Sequence, residues 1–175
     1  AIGEGAEDAL WDKLDTAYFL RHDAQEIAWH TRQLFFRPNT HHPVVKARLS
    51  PAGEGLQVMI YTRDEKDLFA RICGFFERMN YNIVEAKIYT TRHGYALDSF
   101  QVMDVFNKTA HYRDVISIIE HDLAERLTRK APLEPPATGR LSRHLKHFPI
   151  TPAVGLYPDE RGAFHVLSIV AGDRP

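Results

Sequence analysis

Leu56-Gln57-Val58-Met59-Ile60-Tyr61-Thr62, then Arg63-Asp64-Glu65-Lys66-Asp67, then Leu68 to Met79: this stretch decides the fold. Its first seven residues are rich in strand formers. The next five are polar and form a turn. Leu68, Phe69, Ile72, Cys73, Phe75, Phe76 and Met79 then recur at the spacing of an amphipathic helix.

Moving toward the C-terminus, Asn80-Tyr81-Asn82 ends that helix and Ile83 to Thr90 returns to strand. Its alternation puts Val84, Ala86 and Ile88 on one face, with Glu85, Lys87 and Tyr89 on the other. Thr91-Arg92-His93-Gly94 predicts a hairpin turn in which Gly supplies positive φ. Tyr95 to Asp104 is a third strand. Tyr112, Val115, Ile116, Ile119, Leu123 and Leu127 form a second helical stripe. The order is βαββα, and one further strand would complete the ferredoxin-like βαββαβ. Two singly striped helices and a strand set with a mixed face predict an α+β fold, with an antiparallel sheet and both helices on one side.

Outward from this core the organisation is coarser. Residues 1–50 read as a helical segment: Ala6 to Leu14 is a short helix. Asp23 is an N-cap with Glu26 as its capping-box partner. Ile27, His30, Thr31 and Leu34 follow at helical spacing. Pro38 and His41-His42-Pro43 stop that helix. Residues 54–130 hold the βαββα module. Residues 131–150 form a linker, with Pro132, Pro135 and Pro136 followed by the basic run Arg140 to His147. Residues 151–175 read as a hairpin that completes the module and begins a second copy. In that copy Val166 to Asp173 echoes Leu56 to Asp64.

Bulk properties narrow the function classes. The 175 residues carry a net charge of −1, with 44% hydrophobic and 26% charged. This gives no concentrated basic surface for nucleic acid, and Arg140 to His147 reads as a solvated linker. No run approaches the ~20 apolar residues of a membrane span. The lone Cys73 cannot form an internal disulfide, so nothing argues for secretion and a cytoplasmic location is expected. Ala1 at the front and Gly172-Asp173-Arg174-Pro175 at the back suggest a piece of a longer protein.

The chemistry concentrates in the turn after Thr62. A free amino acid presents a carboxylate, which suits backbone N–H groups at a helix N-terminus. It also presents an ammonium, which suits a carboxylate. The N–H groups of Asp67, Leu68 and Phe69 and the acids Asp64 and Asp67 supply both, unless either acid merely caps the helix. His22-Asp23 and His121-Asp122 read as a cap and a solvated pair, so no metal site is expected. Cys73 reads as a small core residue.

Tyr61 to Ile72, with Asn82 to Ile88 and Thr90 to Phe100, resembles an ACT domain. It is similar in particular to the first ACT domain of the bifunctional uridylyltransferase/uridylyl-removing enzyme family, which modifies the PII signalling protein. Tyr18-Phe19-Leu20-Arg21-His22 and Glu26 to Thr31 resemble the exit from that family's HD hydrolase domain. His147 to Ile150 and Asp173-Arg174-Pro175 resemble the linker and the opening of its second ACT domain. The resemblance departs at Lys66-Asp67, where many ACT domains carry Pro-Gly.

It implies a glutamine sensor, with L-glutamine as effector and a ligand site of Thr62, Arg63, Asp64, Asp67, Leu68, Phe69, Asn82 and Ile83. In the family fold Asn82 lies near the loop, often across a dimer interface. The resemblance further implies pairing of ACT edges into a homodimer and PII protein as the parent's substrate. Catalysis and its Mg2+ would belong to the parent, with no catalytic residue and no cofactor in this segment. An ACT domain sensing another amino acid is the alternative. An RNA-binding βαββαβ module is a further one, weakened because Tyr95 and Phe100, its only third-strand aromatics, have opposite parity.

Overall fold

A computed structural model describes residues 8–37, 39–51, 53–105, 112–130, 132–133, 150–159 and 165–171. Residues 1–134 and 135–175 form two separate units.

In the first unit, strand β2 (Leu56–Arg63) runs beside β4 (Tyr95–Asp104) at the centre of a four-stranded antiparallel sheet. The strand order is β1-β2-β4-β3, with β1 at Val44–Leu49 and β3 at Tyr81–Lys87. Helix α4 (Leu68–Arg78) joins β2 to β3, and α5 (Tyr112–Thr128) follows β4. The α+β architecture, the antiparallel sheet and the two module helices on one face match the sequence reading.

The fourth strand comes from an unexpected place. The edge beside β2, which a strand after α5 was expected to fill, is occupied by β1 from the segment read as helical. Val44 pairs with Tyr61 and Leu49 with Leu56. The described part of the module therefore runs ββαββα. The sequence does carry the signal for this hairpin. Val44-Val45 follows Pro43, and Ser50 to Gly55 forms the turn. Gly55, at φ 72°, is required there, because a Cβ would meet the Val102 carbonyl oxygen at 2.3 Å. In the second unit, β5 (Ala153–Pro158) and β6 (His165–Val170) form the expected hairpin, a two-stranded sheet of their own. The linker's basic run lies outside the described residues.

Strand periodicity splits the side chains of β2 and β4 between two cores. Leu56, Val58, Ile60, Ala96, Phe100 and Val102 pack under α4 and α5, against Ile72, Phe76, Ile119 and Leu123. Met59, Tyr61, Tyr95 and Leu97 face the other way, against Leu10, Leu14, Tyr18, Trp29 and Leu34. This second cover is the N-terminal segment: α1 (Asp8–Trp11), α2 (Thr16–Arg21) and α3 (Ala24–Leu34). Strands buried on both faces read as continuous apolar runs, which is how Val58 to Tyr61 reads.

Asp23 caps α3 as expected, accepting from the Glu26 N–H at 2.8 Å. Glu26 does not close a capping box. Its carboxylate is buried on the sheet, where it accepts from Gln57 Nε2 at 2.9 Å and Lys87 Nζ at 2.7 Å. Beside it His30 accepts or donates at both ring nitrogens, to the Tyr18 hydroxyl at 2.8 Å and the Ser99 hydroxyl at 3.0 Å. Burial, with the charges of Arg48 and Lys87 and neighbouring His22, holds His30 down at about 3. It is neutral at physiological pH and satisfied on both sides.

From Glu85 onward β3 keeps its expected faces, with Lys87 and Tyr89 on the side of the N-terminal helices and Ala86 opposite Phe100 on the other; the departure is local, before that point. A bulge between Ile83 and Glu85 shifts the register. Ile83 packs on the α4–α5 core, whereas Val84, Ala86 and Ile88 are exposed. Lys87 and Tyr89 turn toward α2 and α3.

Removing Lys87 would leave the Glu26 carboxylate buried and without its cation. Lys87→Ala is expected to cost about 2–4 kcal/mol in urea unfolding, below the value for a fully dry pair because Lys87 remains a quarter exposed. Replacing the pair together by Glu26→Leu and Lys87→Leu should recover most of that loss.

Candidate functional site

The loop between β2 and α4 is shaped by one residue. Asp67 sits at φ 65°, ψ 11° in the left-handed region, which a residue with a Cβ adopts at a cost. Asp67 is the second residue of Lys66-Asp67, where the resemblance departs from Pro-Gly, and its backbone takes a conformation that Gly adopts without penalty. The Asp67 side chain makes no cap bond to α4. The Asp64 carboxylate does not cap the helix either, since its Oδ2 accepts from the Thr90 hydroxyl at 2.7 Å. The capping role weighed for these two acids is therefore absent from both. The Leu68 N–H turns back onto the Glu65 carbonyl at 3.2 Å. The first turn of α4 thus offers Phe69 and Ala70 amides that Asp67 does not take.

Around this bend the predicted residues gather. Thr62 and Arg63 end β2, and the Arg63 guanidinium lies over the Tyr95 ring at 5.2 Å. Asp64 is exposed and held by its N–H on the Gly94 carbonyl at 3.0 Å. Leu68 is buried. Phe69 is half exposed, its ring stacked on Phe100 with centroids 6.0 Å apart.

Asn82 and Ile83 stand apart from the others. They pair with Met103 and Val102, whereas Arg63 pairs with Tyr95. At about 3.4 Å per residue, roughly 25 Å of strand separates them from the loop within one chain. Within the sheet of one chain Asn82 and Ile83 do not join the loop.

Three residues with a hand in the loop escaped the sequence reading. Thr90 and Gly94 hold Asp64 from the hairpin turn. Asp98, 1% exposed, lies behind them on β4 and accepts the Tyr89 N–H at 3.2 Å. Burial raises its carboxyl to about 7, opposed by that N–H and assisted by the charge of Asp64. A lone Asp in the middle of Tyr95 to Phe100 was the available signal, because a central strand buried on both faces has no solvated place for it. The hydroxyls of Tyr18 and Tyr61 are likewise pushed up by burial. Burial also pushes up the thiol of half-buried Cys73, against a thiolate role. His121 and Asp122 are both exposed, and among the described residues no cluster of three His, Cys, Asp or Glu could hold a metal.

A family model described as the fifth domain of uridylyltransferase GlnD matches residues 1–33, the segment containing α1, α2 and nearly all of α3. The chain is 59% identical over 170 residues to a bifunctional uridylyltransferase/uridylyl-removing enzyme of Aromatoleum aromaticum, covering 97% of the chain and 20% of that relative. It is 56% identical over 167 residues to the enzyme of the same name from Cupriavidus pinatubonensis, covering 94% of the chain and 19% of the relative. With that of Chromobacterium violaceum it shares 55% over 175 residues, covering all of the chain and 20% of the relative. The chain thus spans about a fifth of the length of these relatives. No solved structure matches it.

Two outcomes test the loop's physics. Asp67→Gly should stabilise the chain by about 0.5–1 kcal/mol in denaturant unfolding, because Gly adopts positive φ without the Cβ penalty. Asp98 keeps its proton when folded up to about 7 but loses it near 4 when unfolded. The folded state therefore binds the extra proton between those values, and stability falls as pH rises through that window. Asp98→Asn should raise the melting temperature at pH 8 relative to pH 5 and remove the Asp98-linked decline between about pH 4 and 7; His30, held neutral in the fold, contributes an opposite slope that is the same in both proteins and cancels in the comparison.

Proposed function

The chain belongs to the bifunctional uridylyltransferase/uridylyl-removing enzyme family, and from that premise we propose that it is a regulatory segment which binds free L-glutamine at the β2–α4 loop. The observation that carries the reading is the loop itself: a left-handed Asp67, an α4 first turn without a side-chain cap, and an anchored but exposed Asp64 carboxylate. The α-carboxylate of the effector would lie against the Phe69 and Ala70 amides and the positive end of α4. The α-ammonium would meet Asp64, already oriented by Thr90.

In this reading catalysis resides in the rest of a longer cytoplasmic enzyme, which adds UMP to and removes it from PII protein. The Mg2+ for nucleotidyl transfer would be held there. Glutamine bound to the segment would bias the two activities. Copies of the module would pair through the outer edge of β3, where Val84 and Ile88 are exposed. Such pairing could bring the partner's edge toward the loop and give Asn82 and Ile83 a place in the site. A different amino-acid effector would use the same loop chemistry. The RNA-binding alternative loses its stacking surface, since Tyr95 and Phe100 are buried on opposite faces. No helix among the described residues is long and apolar enough to cross a membrane.

Calorimetric titration with L-glutamine, against L-glutamate and L-asparagine, tests the reading. Selective heat from glutamine is expected, with affinity reduced about tenfold or more in Asp64→Ala, as the loss of a charged hydrogen bond requires. No heat from glutamine, or equal binding by the variant, would contradict it.

A further inference from the structure

We propose that the hairpin turn Tyr89–Gly94 is the coupling element of this protein: it mechanically links the β2–α4 loop to the corner between α1 and α2. The inference rests on the loop being the effector site, and it names the route by which occupancy of that site leaves the module.

The turn has two sets of bonds, one to each neighbour. On the loop side, the Thr90 hydroxyl donates to Asp64 Oδ2 at 2.7 Å, and the Asp64 N–H donates to the Gly94 carbonyl at 3.0 Å. On the helical side, the Arg92 N–H donates to the Lys13 carbonyl at 2.9 Å, and the Tyr89 hydroxyl accepts the Asp15 N–H at 2.9 Å. Asp15 in turn caps α2, its carboxylate accepting from the N–H groups of Ala17 at 2.9 Å and Tyr18 at 3.2 Å. A single short element therefore grips the effector-binding acid with one hand and the residue that starts α2 with the other.

The turn is stiff enough to transmit. Thr91 is buried and closes it three ways with Tyr95: N–H to carbonyl at 2.7 Å, hydroxyl to the same carbonyl at 2.9 Å, and Tyr95 N–H to the Thr91 hydroxyl at 2.9 Å. Gly94, at φ 79°, completes the bend with its N–H on the Thr91 carbonyl at 3.0 Å. Movement of the Asp64 backbone therefore pulls on the turn through the Gly94 carbonyl, and movement of its carboxylate pulls on it through Thr90. The helical corner sits at the other end. Two hydrogen bonds, from the Arg92 amide and to the Tyr89 hydroxyl, hold the corner, and the Tyr89 ring is buried beside Tyr18 with centroids 5.4 Å apart. Coupling through this turn requires two arrangements, the docked turn seen here and a released one. In the docked state α2 keeps its capped start. In the released state Asp15 loses the hydrogen bond that orients it. Occupancy of the loop pulls Asp64 toward an ammonium and so biases this choice, and by reciprocity docking of the corner alters the loop's affinity.

Amide hydrogen exchange on the 175-residue chain, read residue by residue by NMR without any effector, tests the coupling. Thr90→Val cuts the grip on Asp64 while sparing the acid itself. Exchange at Arg92 and Asp15 should change by about fivefold, the local-opening equivalent of one hydrogen bond. The Ala47 amide, held by Glu120 on the opposite edge of the sheet, should not change. Tyr89→Phe should expose Asp15 alone and abolish its response to Thr90→Val. Unchanged exchange at Asp15 and Arg92, or an equal rise at Ala47, would overturn the proposal. The amide response without calorimetric heat from glutamine would uphold the coupling and sink the glutamine reading. Glutamine heat with Asp15 and Arg92 unresponsive to both the variant and the ligand would do the reverse.

Discussion

Everything in the first unit depends on a sheet that is buried on both faces. An antiparallel sheet of this size can leave one face to water, with polar residues on it. Here β2 and β4 present apolar side chains on each side, and neither layer of helices alone could cover them. The α4–α5 pair takes one face and the N-terminal helices take the other. That second layer is where the chain spends its buried polar groups. Glu26 holds Lys87 and Gln57, and neutral His30 bridges Tyr18 and Ser99. Apolar contact alone would let α3 slide on the sheet. Buried polar groups that must be paired fix its register, because a slip would leave each of them unsatisfied.

The same constraint explains what could be read from the sequence. The βαββα core was legible because Leu56 to Thr62 and the Leu68 to Met79 stripe have unambiguous periods, and the Asp23 cap was legible from its spacing to Glu26. The edge strand β1 left a weaker signal, the Val44-Val45 pair and the turn before Gly55, which was passed over because Val44 to Leu49 is short, mixes charge with apolar residues, and follows a helix stop that invites a loop. The bulge between Ile83 and Glu85, which leaves no mark in composition, was not legible, although the alternation that follows it was. The role of α1, α2 and α3 as a cover on the sheet was hidden for a simpler reason. A helical stripe announces that it packs, not against what.

The candidate site shows a similar division. Its local part, Asp64 to Phe69, follows from the turn and the helix start that the sequence displays. Its support from Thr90 and Gly94 depends on strand register, which only the fold supplies. Asn82 and Ile83 entered through the resemblance, and the register of β3 puts them at the far end of the sheet. A site that includes them would be completed by a second chain.

The loop is thus a small exposed feature held by a rigid, doubly covered sheet, with the hairpin turn as its nearest fixed support. Titrating 15N-labelled chain with L-glutamine and following every backbone amide tests this account most directly. The account predicts saturable shift changes at Asp64 to Ala70 and Thr90 to Gly94, reaching Asp15, with L-glutamate leaving the spectrum nearly unchanged. An unchanged spectrum, or changes centred on another part of the chain, would contradict it.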